Sequence, residues 1–176
     1  MAYITFQPHD YFNTLLYTDN GANRTLTGVG FQPDWVWIKT RNHGNSHNIF
    51  DAVRGANKVI RSNSTAADVT TTDTLTAFTS DGFSLGVDAS GYGVNYDNKN
   101  EVAWNWRAGN SSGSSNSDGS LASTVSANTT AGFSIVKYGN TTGTQTVGHG
   151  LGSDLKVLII KNLTSATNWH VWHTGI

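Results

Sequence analysis

One pattern of residues occurs twice in this chain, about 120 residues apart, and it limits the fold more than any other feature. The first copy reads Gly28-Val29-Gly30-Phe31, then an aromatic and aliphatic stretch ending Ile38-Lys39, then Ser46-His47-Asn48-Ile49-Phe50. The second reads Gly148-His149-Gly150-Leu151, a stretch ending Ile160-Lys161, then Asn168-Trp169-His170-Val171-Trp172. Tyr11 to Tyr17 likewise matches Gly132 to Tyr138. Self-similarity at a fixed offset marks one supersecondary module written twice. The first copy runs over residues 1–108 and the second over 121–176, joined by a Gly/Ser/Asn linker at 109–120. Nothing in the second copy corresponds to Lys58–Arg107, so it has too few strands to close as the first does. Unpaired backbone edges and an uncovered apolar face around Ile159, Val171 and Trp172 are the expected result. Three resolutions follow: packing of 121–176 onto the first module, pairing with a neighbouring subunit, or a longer parent chain.

The modules are made of strands. Of 12 acidic residues only Glu101 is a glutamate, and there is one Met, so strong helix formers are scarce while Thr, Val and aromatic residues abound. Segments with period-two alternation, bounded by Gly, Asn, Asp and Ser, recur at Tyr11–Tyr17, Asp34–Thr40, His47–Val53, Gly82–Val87, Glu101–Arg107, Gly132–Tyr138, Leu155–Lys161 and Asn168–His173. Residues 65–76, rich in Thr but holding Val69 and Leu75, read as loop plus a weak strand. The expected fold is all-β: an antiparallel β-sandwich of jelly-roll or concanavalin-A-like type, followed by a partial second copy. Alternation puts Val102, Trp104 and Trp106 on one face of their strand, read as facing inward with Trp35 and Trp37 in the core. Trp35 and Trp37 lie opposite Val36 and Ile38, as in a central strand covered on both sides.

Charge and composition remove several functions. Net charge is −1 and no Lys/Arg run occurs, so the electrostatic footprint of a nucleic-acid binder is missing. With no cysteine, disulfides, thiolate metal sites and thiol catalysis are closed off. The opening residues lack the basic and apolar stretches of a secretory signal, and the Val157–Ile160 run is far below the ~20 residues of a membrane span. A soluble chain without membrane insertion is expected.

Candidate chemistry is sparse. Glycoside hydrolysis needs two carboxyls about 5–9.5 Å apart, and Glu101 is the single Glu; Asp81, Asp88 and Asp97 are its candidate partners, but none shares an apolar strand face with it. Neither a nucleophile elbow nor a spaced histidine pair stands out: His43 and His47 flank a turn, and His170 and His173 are three apart on a strand and point to opposite faces. No catalytic residue and no metal ligand set is assigned. For Ca2+, an EF-hand fails because Lys99 occupies the twelfth position, leaving an irregular oxygen cage from Asp88, Asp97, Asn98 and Asn100 as the candidate. For a glycan, aromatic faces beside amide and carboxylate groups on a loop are wanted, and Tyr92, Asn95, Tyr96, Asp97 and Asn98 offer them. Asp51 and Arg54 read as a structural ion pair.

The segments Gly28-Val-Gly-Phe-Gln-Pro-Asp-Trp-Val-Trp-Ile-Lys39, Phe50-Asp-Ala-Val-Arg-Gly55, Ser80-Asp-Gly-Phe-Ser-Leu85 and Val102-Ala-Trp-Asn-Trp-Arg-Ala-Gly109 resemble a repeat of virion structural and tail-appendage proteins of tailed bacteriophages, marine ones among them. Those modules are similar to SPRY-like or concanavalin-A-like sandwiches. The resemblance implies a non-enzymatic virion protein, most readily a tail-fibre or appendage scaffold or adhesin. Its partners would be other virion proteins, further copies of itself (a trimer in a fibre) and a host surface glycan. A capsid-surface decoration protein and a glycan-binding or glycan-degrading domain are the alternatives. The resemblance carries over no catalytic or ligand residue and no cofactor.

Overall fold

The computed structural model describes residues 6–96, 98–139 and 141–175. After a single 3-10 turn at Pro8–Asp10, the strands are β1 (Phe12–Thr18), β2 (Arg24–Thr27), β3 (Trp35–Thr40), β4 (Asn48–Asp51), β5 (Lys58–Arg61), β6 (Val69–Thr70), β7 (Leu75–Thr79), β8 (Gly82–Leu85) and β9 (Asn100–Trp106). Beyond them lie β10 (Ser114–Asn116), β11 (Ser123–Asn128), β12 (Phe133–Tyr138), β13 (Val157–Ile160) and β14 (His170–His173). Every strand pair is antiparallel. The protein is an all-β antiparallel sandwich. A six-stranded sheet, β1-β9-β3-β4-β5-β6, packs against a three-stranded sheet, β2-β8-β7.

The core between these sheets holds Tyr17, Val36, Ile38, Phe50, Val59 and Ala103 from the large sheet and Leu26, Leu75, Phe83 and Leu85 from the small one. Phe50, Phe83, Val36 and Ile38 are wholly buried, and full burial of such side chains is worth about 1.5–3 kcal/mol each.

Here one expectation is corrected. The face of β9 turned to this core carries Glu101, Ala103 and Asn105, all fully buried, while Trp104 and Trp106 lie half-buried on the opposite face with Trp35 and Trp37. Flanking strands explain the choice. Tyr17 and Leu15 on β1 and Val36 and Ile38 on β3 already bring large side chains to the gap, with Tyr17 set edge-on to Phe83 at 6.5 Å. A central strand adding two tryptophans there would overfill a close-packed interior. Alternation alone could not reveal this, because both faces of the large sheet are covered.

A third sheet, β10-β11-β12, does the covering. Phe133 of β12 meets Trp35 edge-on and stacks on Trp106, each at 6.4 Å, and Ile135 packs with Val53 and Ala108. The Gly/Ser/Asn stretch 109–120 is therefore not all free chain: its Ser114–Asn116 pairs with β11. Asp34, fully buried, holds the stretch in place by accepting the backbone N–H groups of Ala108 and Asn110, both at 2.8 Å.

Two hairpins share one strand register. Pairs Trp35↔Asp51, Val36↔Phe50, Trp37↔Ile49 and Ile38↔Asn48 join β3 to β4. Pairs Val157↔His173, Leu158↔Trp172, Ile159↔Val171 and Ile160↔His170 join β13 to β14, the same set with 122 added to every number. Their surroundings differ. The first hairpin has β9 on one side and β5 on the other, whereas among the described residues β13 and β14 pair only with each other.

Candidate functional site

The loop between β8 and β9 is organised by Asp88. This residue sits in the left-handed region (φ 52°) and is fully buried. Its Oδ1 accepts the N–H of Tyr92 at 2.9 Å, and its Oδ2 accepts those of Gly93 and Val94, both at 2.7 Å. Gly93 (φ 77°) is required here, since a Cβ would lie 1.9 Å from the Asn45 amide nitrogen. Asp88 thus spends its oxygens on its own loop, as short acidic side chains do in turns. Of the Ca2+ cage expected from Asp88, Asp97, Asn98 and Asn100, Asp97 lies outside the described residues, and Asn100 accepts a hydrogen bond from Thr18 Oγ1 at 3.1 Å. Among the described residues no three His, Asp or Glu side chains converge on a metal position.

The glycan residues fare unequally. Asn95 is fully buried and spent: its amide nitrogen donates to Ala22 O (2.8 Å) and Gly86 O (2.7 Å), and its oxygen accepts Asn20 N–H (3.2 Å). Tyr92 is half-buried on the core, with the Arg61 guanidinium 5.2 Å above its ring. Tyr96 and Asn98 are exposed, and Asp97 lies outside the described residues. The structure therefore leaves Tyr96 and Asn98 at the surface but withdraws Asn95 from any ligand.

Beneath the loop lies an acid pair that sequence spacing does not reveal. Glu101 is wholly buried between Tyr17 and Thr40, its cross-strand neighbours on β1 and β3. Asp19, just past the end of β1, is also buried and interacts with it. Among the described residues, none of the four carboxyl oxygens accepts a hydrogen bond of normal geometry. Burial, an unfavourable setting for a charge, pushes Glu101 from its usual 4.5 up to about 8 and Asp19 from 3.8 up to about 6, and the charge of Asp19 raises Glu101 further. The Tyr17 hydroxyl, also raised by burial, donates to Val94 O at 2.7 Å and so stays neutral. With both acids enclosed, this arrangement presents no carboxylate to an outside substrate. Asp19 escaped notice because no motif links residues that only strand pairing unites.

Asp51 and Arg54 form the structural pair expected of them, in a wider network. Arg54 reaches Asp51 through Nε, Asp68 through Nη1 at 2.8 Å and Ile49 O through Nη2 at 3.0 Å. Asp68 in turn donates its backbone N–H to Leu163 O at 3.0 Å. The loop joining β13 to β14 is moored along this line: Thr167 N–H and Lys161 Nζ both donate to Thr65 O, and Trp169 Nε1 is shared between Arg61 O and Ser64 O. The strands themselves stay bare. Val157, Ile159, Val171 and Trp172 are half or more exposed and Leu158 is 38% exposed, while the counterparts of Leu158 and Trp172, namely Val36 and Phe50, are fully buried. An open cleft lined by His149, Leu155, Leu158 and Trp172 runs along this face.

The geometry defines a class: a β-sandwich with an enclosed acid pair and a moored, solvent-facing hairpin paired in the same register as β3–β4. The chain belongs to the family described as a domain of unknown function, DUF7483, which matches residues 7–176. That match spans the sandwich, the 109–120 stretch and the exposed hairpin together. No curated protein and no solved structure matches the chain.

Proposed function

We propose that this chain is a non-enzymatic structural component of a tailed-bacteriophage particle, a scaffold or adhesin of a tail fibre or appendage that joins neighbouring subunits through its β13–β14 hairpin. The observation that carries this reading is the contrast between two hairpins of identical register, one enclosed and one bare. An isolated two-stranded hairpin is marginal in water, and a contiguous exposed apolar patch marks an interaction surface. The sequence segments that resemble virion repeats supply the setting, and the buried state of Glu101 and Asp19 fits a protein that assembles and does not hydrolyse.

Immunogold labelling of purified particles of the parent phage tests it. Gold on tails or appendages is expected. Label over the heads would make the chain a decoration protein, and particles free of label would overturn the reading. Glycan-array binding that is lost on Tyr96→Ala would place adhesion on the exposed end of the loop.

A further inference from the structure

The buried acids of this sandwich are not treated alike. Asp34 is answered by the amides of Ala108 and Asn110, Asp51 by Arg54, and Asp88 by the amides of its own loop. Glu101 is 0% and Asp19 2% exposed, yet none of their four carboxyl oxygens accepts a hydrogen bond of normal geometry. The flanking hydroxyls do not supply the missing donors. Tyr17 and Thr40 stand beside Glu101 on β1 and β3, but Tyr17 gives its proton to Val94 O at 2.7 Å and Thr40 gives its own to Gly93 O at 3.2 Å. The cations whose fields reach the pair are held elsewhere too. Arg24 Nη1 donates to Thr18 O at 2.6 Å, and Lys39 Nζ donates to Thr40 O at 2.5 Å and His43 O at 3.0 Å. Carboxylates buried with neither a counter-charge nor donors are costly, so such a pair calls for a positive charge from outside the chain.

We propose that Asp19 and Glu101 together hold a Ca2+ ion beneath the β8–β9 loop. The donors are all oxygens, which a hard cation prefers, and two carboxylates balance its two charges. Thr40 Oγ1, beside Glu101, donates to Gly93 O and accepts from Asn45 Nδ2 at 2.9 Å, which leaves it one lone pair to add. Ca2+ fits better than Mg2+, because carboxylates grip it with both oxygens in irregular geometry, whereas Mg2+ demands an octahedron and keeps its waters. The site shares no residue with the cage of Asp88, Asp97, Asn98 and Asn100. It does bear on the same loop: Gly93 and Val94 accept the hydroxyl protons of Thr40 and Tyr17, and the Tyr96 amide lies beside Asp19. A cation here fixes the segment that presents Tyr96 to solvent. In the metal-free chain burial leaves the same oxygens to protons.

The test uses the whole chain, stripped with a chelator and titrated with CaCl2 in a calorimeter, with hydrogen exchange to locate the effect. One Ca2+ per chain is expected, together with a higher melting temperature in CaCl2 than in chelator and slower exchange across residues 93–101. Asp19→Asn and Glu101→Gln should each weaken binding at least tenfold. Both keep the shape of the neutral acid, and a cooperative melt shows that each is folded. Asp154→Asn, which removes an exposed acid, should bind as the parent does. MgCl2 should bind at least tenfold more weakly than CaCl2. Absence of binding up to about 10 mM CaCl2, beyond the range of weak Ca2+ modules, would overturn the proposal. So would binding that survives in both variants, which would belong to surface acids, or equal binding of Mg2+. Should neither variant fold, the parent decides by its exchange pattern, and protection that misses residues 93–101 would overturn the site.

Discussion

Replacing Glu101 by Gln should stabilise this protein, and by an amount that grows with pH. In the folded chain burial holds the Glu101 carboxyl neutral up to about pH 8, while in the unfolded chain it ionises at its usual 4.5. Between those values folding takes up a proton, so stability falls as pH rises, by about 1.4 kcal/mol per pH unit. The contribution is whole below pH 4.5 and gone above pH 8. Over the full 3.5 units, 8 minus 4.5, the loss is about 5 kcal/mol, an upper figure because the charge of Asp19 supplies part of the shift. Glutamine keeps the shape of the neutral acid and cannot ionise. Urea titrations of parent and Glu101→Gln at pH 5, 6.5 and 8 measure the effect, with equal m-values as the check that both unfold alike. Taking the difference between the two proteins cancels His47, whose pKa burial lowers and whose contribution runs the other way, lost as pH falls. The variant should match the parent within about 1 kcal/mol at pH 5 and exceed it by several kcal/mol at pH 8. Parallel curves, or a variant less stable at every pH, would refute the claim that the pair is enclosed and protonated.

Two further outcomes follow from packing. Arg54→Met leaves Asp51 buried without its cation, and should cost about 3–5 kcal/mol in denaturant unfolding while raising hydrogen exchange at Asp68, the amide that moors the hairpin. Gly82→Ala would place a Cβ 2.0 Å from the Leu26 carbonyl oxygen across the β2–β8 pair, so the melting temperature should drop by several degrees for each ~1 kcal/mol lost, and a melt unchanged from the parent would contradict the observed register.

How much of this was legible beforehand depended on whether the signal was local. The eight alternating segments all became strands, because period-two patterning and Gly/Asx boundaries act within a few residues. The strands β2, β5, β10 and β11 were not foreseen. They are short or rich in Ser, Thr and Asn, and what makes them strands is the neighbour they pair with: Ser114–Asn116 opposite β11, Arg24–Thr27 opposite β8. Composition between β8 and β9 could not show that Asn95 is buried and bonded to the backbone of Ala22 and Gly86 while Tyr96 stays exposed.

From the order of residues alone come the all-β class and the eight alternating strands, since alternation is a property of the chain read in one dimension. Which face of β9 meets the core, that Asn95 is buried in backbone hydrogen bonds, and that Asp19 and Glu101 are enclosed together were decided only when sheets stacked. Those outcomes depend on which side chains share a gap of fixed width and are cut off from water, and such partners come from stretches of sequence that carry no mark of one another.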